Sequence, residues 1–204
     1  MAGRPPLLAP DERTRRIESA ATEVFAEMGF AAATMDEIAL RSGVSKPALY
    51  RVFQSKSHLF ASVIERHATQ SAEAALAAFA AGAGSMRERL VDMIDAWFAR
   101  VEANPNVHRL AAHHLPDDAI IAAAAATIRT MQLANDARLI SSIAPHVPRE
   151  EIEPLGEVVR GALLSLADWW VDHPDVSRSV PVAVMCRVCN GLLLPIAEPA
   201  VPSP

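Results

Sequence analysis

The chain has 204 residues, 51% of them hydrophobic and 21% charged, with a formal net charge of −5. That is enough apolar material for a sizeable core and excludes wholesale disorder. Its two cysteines make no disulfide framework, and its longest uncharged stretch, Ala74 to Met86, is too short to span a bilayer.

No apolar signal segment follows Met1, so a cytoplasmic chain without a membrane partner is expected. The acidic balance at first argues against a nucleic-acid partner, because phosphate binding usually leaves a basic footprint. That balance is uneven, however. Residues 1–60 carry a net charge of +1 and residues 61–204 a net charge of −6. Both lysines, Lys46 and Lys56, and the one tyrosine, Tyr50, fall within eleven residues of each other.

Strand signals are scarce, whereas 39 alanines favour helix. The expected fold is all-α, with about nine helices. Ile17, Ala20, Ala21, Val24, Phe25 and Met28 follow the 3/4 spacing of a first helix, which Gly29 can end. A short helix over Thr34 to Ser42 opens on the capping box Thr34-x-x-Glu37 and closes on Gly43, a left-handed C-cap. Ser45 caps a third helix, with Pro47 tolerated in its first turn. Ser55 begins a fourth, which carries Leu59, Phe60, Val63 and Ile64. Gly82 and Gly84 break the chain before a stripe of Leu90, Ile94, Trp97, Phe98 and Val101. Asn104-Pro105 reads as a cap followed by proline at the first helical position. Pro116-Asp117 opens a long alanine-rich helix to about Ile143. Pro154 marks the start of the next, which runs to Asp172, and a last helix covers about Pro181 to Leu194. A compact unit over residues 1–57, with 1–10 as a flexible arm, is expected to precede a larger helical domain over 58–204.

The segment Thr34 to Phe53 has two short helices joined by a glycine-containing turn, which is the helix-turn-helix pattern. At about 100° per residue, Ala48, Leu49, Val52 and Phe53 share one face of the second helix, and Lys46, Pro47, Tyr50 and Arg51 share the other. The second face suits a DNA major groove. Arg51 can read guanine bidentately or bind phosphate, Lys46 and Lys56 are point charges for phosphate, and Tyr50 can donate to phosphate or pack on a thymine methyl. The backbone N–H groups at the Thr34 and Ser45 helix starts also favour phosphate.

The pattern Thr34-x-x-x-Ile38-Ala39-x-x-x-Gly43-Val44-Ser45-x-x-x-Leu49-Tyr50-x-x-Phe53-x-Ser55-Lys56-x-x-Leu59 resembles the DNA-binding domain of the TetR family of transcriptional regulators. The resemblance covers roughly Arg13 to Phe60, about a quarter of the chain. It implies a homodimer on a palindromic operator, a repressor that answers to a small-molecule effector, and DNA contacts from Thr34, Ser45, Lys46, Tyr50 and Lys56. Arg51, Val52 and Gln54 depart from the histidine, aromatic and proline common at those positions, which bears on base preference. An activator, or an architectural DNA binder without an effector, is the alternative. An enzyme or carrier built on the helical cavity is a further one, but no acid/base pair, phosphate loop or nucleophile elbow supports it.

In the remaining helices, Met93, Trp97, His113, Met131 and Trp169 are candidates for an apolar effector pocket, with core packing as the alternative. Val159, Leu163, Leu166 and Trp170, with Met185, Val188 and Leu192, form two stripes suited either to a four-helix dimer interface or to burial within one subunit. The resemblance favours the interface. His108, His113 and His114 cluster loosely, and Cys186 and Cys189 share a helical face. The adjacent His113 and His114 diverge by about 100° on one helix, which favours one buried or pocket-lining histidine and two exposed ones over a metal site, and the cysteines lack further nameable ligands and read as packing, so no metal and no cofactor is expected.

Overall fold

Helix-forming composition and the lack of alternating strands give helix throughout. The computed structural model describes residues 10–112 and 116–193, and within them holds nine α-helices and no strand. These are α1 (Pro10–Ala32), α2 (Met35–Ser42), α3 (Lys46–Val52), α4 (Lys56–Ala81), α5 (Met86–Ala103), α6 (Pro105–Ala112), α7 (Ala119–Ile143), α8 (Arg149–Val171) and α9 (Ser179–Leu193). Residues 1–9 of the expected arm lie outside the described residues, as do residues 194–204, whereas Pro10 opens α1. None of these helices is long and apolar enough to cross a membrane.

The described residues divide into two compact units, one from 10–69 with 106–112 and 116–128 and one from 70–105 with 129–193. The first is built on a core of Ile17, Val24, Phe25, Ile38, Leu49, Leu59 and Phe60, joined by Ile121 of α7. Phe25, Phe30 and Phe60 form an aromatic cluster with centroids 5.0 to 6.0 Å apart, two of the three pairs edge-to-face. Such pairs add to the area they bury. A buried carboxylate also fastens α1 to α4: Glu18 accepts from Ser62 Oγ at 2.5 Å and pairs with Arg66.

The second unit packs Leu90, Ile94, Phe98 and Val101 of α5 against Trp170 of α8 and Met185 and Cys189 of α9. Trp170 sits edge-on to Phe98 at 5.6 Å and donates its indole N–H to the Val176 carbonyl at 2.7 Å. That bond satisfies the polar handle of an otherwise apolar ring. A complete capping box opens α5, where Ser85 and Glu88 bond reciprocally.

Three boundaries differ from expectation. Gly29 kinks α1 (φ 72°, ψ 167°) instead of ending it, and helix resumes to Ala32. Pro154 lies inside α8, which starts five residues earlier at Arg149. The residues around it (Glu150, Glu151 and Glu153) are exposed, so water can take the carbonyl that a proline leaves unbonded. The long helix α7 starts at Ala119, capped by Asp118, whose Oδ1 accepts from the Ile120 and Ile121 N–H groups.

Candidate nucleic-acid interface

The helix-turn-helix is set by its turn. Gly43 adopts φ 66°, its N–H bonds the Leu40 carbonyl, and the Val44 N–H bonds that of Ala39, each at 3.2 Å. This paired closure is the Schellman motif, and glycine meets its positive φ without strain. At the other end of α2, Thr34 is the N-cap and its hydroxyl accepts from the Glu37 N–H at 3.2 Å. The reciprocal half of the expected capping box is absent. Glu37 instead accepts from Arg41 Nε at 2.7 Å, and Arg41 also reaches Glu27 of α1 at 2.6 Å. Arg41 therefore fastens α2 to α1.

Ala48 and Leu49 of α3, and Phe53 after it, are buried in the first unit's core, with Val52 packed beside them. Ser45, Lys46, Pro47, Tyr50 and Arg51 are exposed. Tyr50 is 44% exposed, a large fraction for an aromatic ring. Ser45 is the N-cap of α3 but makes no side-chain capping bond, which leaves its hydroxyl available. Thr34 accepts at its oxygen, and its O–H remains a donor. Arg51 has no hydrogen-bond or ion-pair partner among the described residues.

Lys46 and Lys56 differ. Lys46 pairs with Asp36 of α2 at 2.7 Å, and that hydrogen bond holds its ammonium pKa above the ordinary lysine value. Asp36 was not among the residues singled out from sequence; its pairing depends on the turn geometry, and no spacing rule marks it. Lys56 was expected on a phosphate. Its Nζ instead donates to the carbonyls of Phe30 (2.6 Å), Ala33 (2.9 Å) and Ala31 (3.3 Å), and lies 4.4 Å from the Phe30 ring centroid. Its three N–H donors are all engaged at the end of α1.

The other expected groupings separate. Met93 and Trp97 are half-buried against the second unit's core, Met131 is half-buried, and Trp169 is 43% exposed and stacked on His173. His113 lies outside the described residues. A shallow, open dent beside α5 and α9, with room for about one water molecule and lined in part by Leu90, Ile94, Cys186 and Cys189, includes none of these candidates. It is smaller than a usual ligand site. Burial, with the neighbouring Cys186, pushes the Cys189 thiol up to about 11, so that thiol is protonated near neutral pH and serves as packing.

Of the expected interface stripe, Trp170 and Met185 are buried inside the second unit, and Val159, Leu163, Leu166 and Val188 are half-buried against its core. Leu192 is exposed. A different face of α8 is open. Val158, Gly161, Ser165 and Trp169 are exposed along it, and nothing lies within 4 Å of a Cβ placed at Gly161. On α9, Val180, Ala183, Arg187 and Gly191 are exposed in the same repeating way.

Residues 17–63 match the family model described as bacterial regulatory proteins, tetR family. The transcriptional activator FasR of Mycolicibacterium smegmatis is 40% identical over 103 residues, 50% of this chain and 47% of that one, so the chain spans about half the length of that relative. A TetR-like regulator from Rhodococcus superposes with a TM-score of 0.69 at 24% identity, covering 93% of this chain and 100% of that one. The regulator FadR of Bacillus subtilis, solved with stearoyl-CoA, superposes with a TM-score of 0.73 at 18% identity, covering 90% and 99%.

Proposed function

We infer that this chain, which belongs to the TetR family of transcriptional regulators, binds operator DNA as a homodimer through α3 and responds to a small-molecule effector. The carrying observation is the division of α3 into a buried apolar face and an exposed face bearing Ser45, Lys46, Pro47, Tyr50 and Arg51. A helix of this kind enters the major groove, where side chains near its N-terminus reach base edges. In this reading Arg51 contacts a guanine edge or a phosphate, and Tyr50, Ser45 and Thr34 donate to the backbone. Lys46 is the phosphate cation, and Lys56 supports the scaffold.

A palindromic operator pairs with a two-fold dimer, and its half-sites lie about one DNA turn apart, roughly 34–36 Å. The open face of α8, with exposed apolar and small residues, supports a helix-on-helix dimer contact there. Effector binding that favours another spacing of the two α3 helices lowers operator affinity by population shift. The stearoyl-CoA held by the Bacillus subtilis regulator makes a long-chain acyl thioester the first effector to test. Repression follows where the bound dimer blocks a promoter. Because the relative FasR is named an activator, a reporter assay should read both signs.

A mobility shift with the DNA upstream of the chain's own gene tests the reading across salt concentrations. A saturable complex that survives competitor DNA is expected. Arg51→Ala is expected to weaken it about tenfold, the scale of one lost base contact. Absence of any sequence-specific complex, there or at enriched genomic sites, removes the reading.

A further inference from the structure

We propose that Asp36 is an intramolecular competitor for the DNA phosphate that Lys46 would bind, and that it damps the sequence-independent part of DNA binding. This inference rests on the reading of α3 as the DNA-recognition helix. Lys46 is the first residue of α3, and Asp36 stands in the first turn of α2. The Gly43 turn brings the two helix starts together, and Asp36 Oδ1 meets Lys46 Nζ at 2.7 Å with both side chains more than half exposed. The adjacent carboxylate, Glu37, faces Arg41, so Asp36 rather than Glu37 is the acid that Lys46 sees.

A phosphate arriving at Lys46 comes within a few ångströms of the Asp36 carboxylate. One anion then replaces another at the ammonium, and the displaced one remains nearby as a like charge. The salt dependence carries the same mark. Phosphate neutralisation releases a counterion from DNA. A carboxylate freed from its ion pair takes up a cation in return. Lys46 therefore contributes little to the salt slope while Asp36 is present.

Replacing Asp36 with asparagine keeps the shape and removes the competing charge. Two unit charges about 6 Å apart in a water-like medium repel by an amount equivalent to roughly a threefold change in affinity per protomer. The slope of log K against log salt should steepen by about 0.9 per protomer, one added phosphate neutralised.

The test compares wild type, Asp36→Asn, Lys46→Met and the double variant on a short duplex of random sequence. Fluorescence anisotropy is read between about 50 and 200 mM salt, the range in which such binding changes most. Circular dichroism melts check that each variant is folded. The expected result is that Asp36→Asn binds about threefold tighter per protomer with the steeper slope, and that both gains vanish in the Lys46→Met background. A gain that persists without Lys46 reflects net charge alone and overturns the proposal. So does an unchanged Asp36→Asn. Weaker binding by Asp36→Asn overturns it too, by giving the carboxylate a contact of its own, such as a cytosine amino group. If wild type forms no complex with any duplex, the recognition-helix reading falls with it. If wild type binds and Asp36→Asn matches it, only the competitor role is lost.

Discussion

Placing Asp at Val158 and Glu at Trp169, on the open face of α8, is expected to leave a folded monomer whose operator affinity is about 10² to 10⁴ times lower. Both side chains are exposed within the chain, at 53% and 43%, so neither supports the second unit's core. Charges there meet water in a monomer, but a two-fold contact over this face would bury the acids of both subunits together with no added base to pair them. Desolvated like charges do not close an interface. Losing the dimer turns one bivalent event into two separate half-site encounters, and the avidity between them disappears. Analytical ultracentrifugation reads the assembly state and a mobility shift reads the affinity. A double variant that remains dimeric would place the interface on another face. The same substitutions at Trp170 or Met185 make a poor test, because those residues are buried against Phe98 and its neighbours and their replacement unfolds the unit.

Lys56→Met should destabilise the first unit by about 2 kcal/mol while leaving the salt slope of DNA binding unchanged. Methionine keeps the apolar stem and removes the ammonium. The carbonyls of Phe30, Ala31 and Ala33 then lose a charged donor just after the Gly29 kink, where α1 ends. A cation at that end of a helix also complements its dipole, and the contact with the Phe30 ring adds to the loss. Urea melts followed by far-ultraviolet circular dichroism measure the stability, and operator titrations at several salt concentrations measure the slope. A slope that falls by about 0.9 per protomer with stability unchanged would return Lys56 to a phosphate.

The contrast between Lys46 and Lys56 marks how far the sequence could be read. The two faces of α3 were legible because helical rotation alone separates Ala48, Leu49 and Phe53 from Lys46, Tyr50 and Arg51. The role of Lys56 was not, since its acceptors lie 23 to 26 residues earlier and meet it only once the aromatic cluster has formed. The pairing of Asp36 was not legible either, because it meets Lys46 only across the Gly43 turn. In α8 the periodicity marked an apolar stripe correctly, but a helix with two apolar faces does not say which one its own subunit covers. Trp169 and Trp170 are neighbours about 100° apart, and one is outside while the other is inside. Pro154 misplaced a boundary because proline is favoured at a helix start, and α8 tolerates it one turn further in at an exposed position.

All three tryptophans, Trp97, Trp169 and Trp170, belong to the second unit. Intrinsic tryptophan emission is therefore a spectroscopic signal that originates in that unit. The sole tyrosine is Tyr50, on the exposed face of α3. One chain thus carries two separable optical labels without any dye, indoles in one unit and a lone phenol on the exposed face of α3.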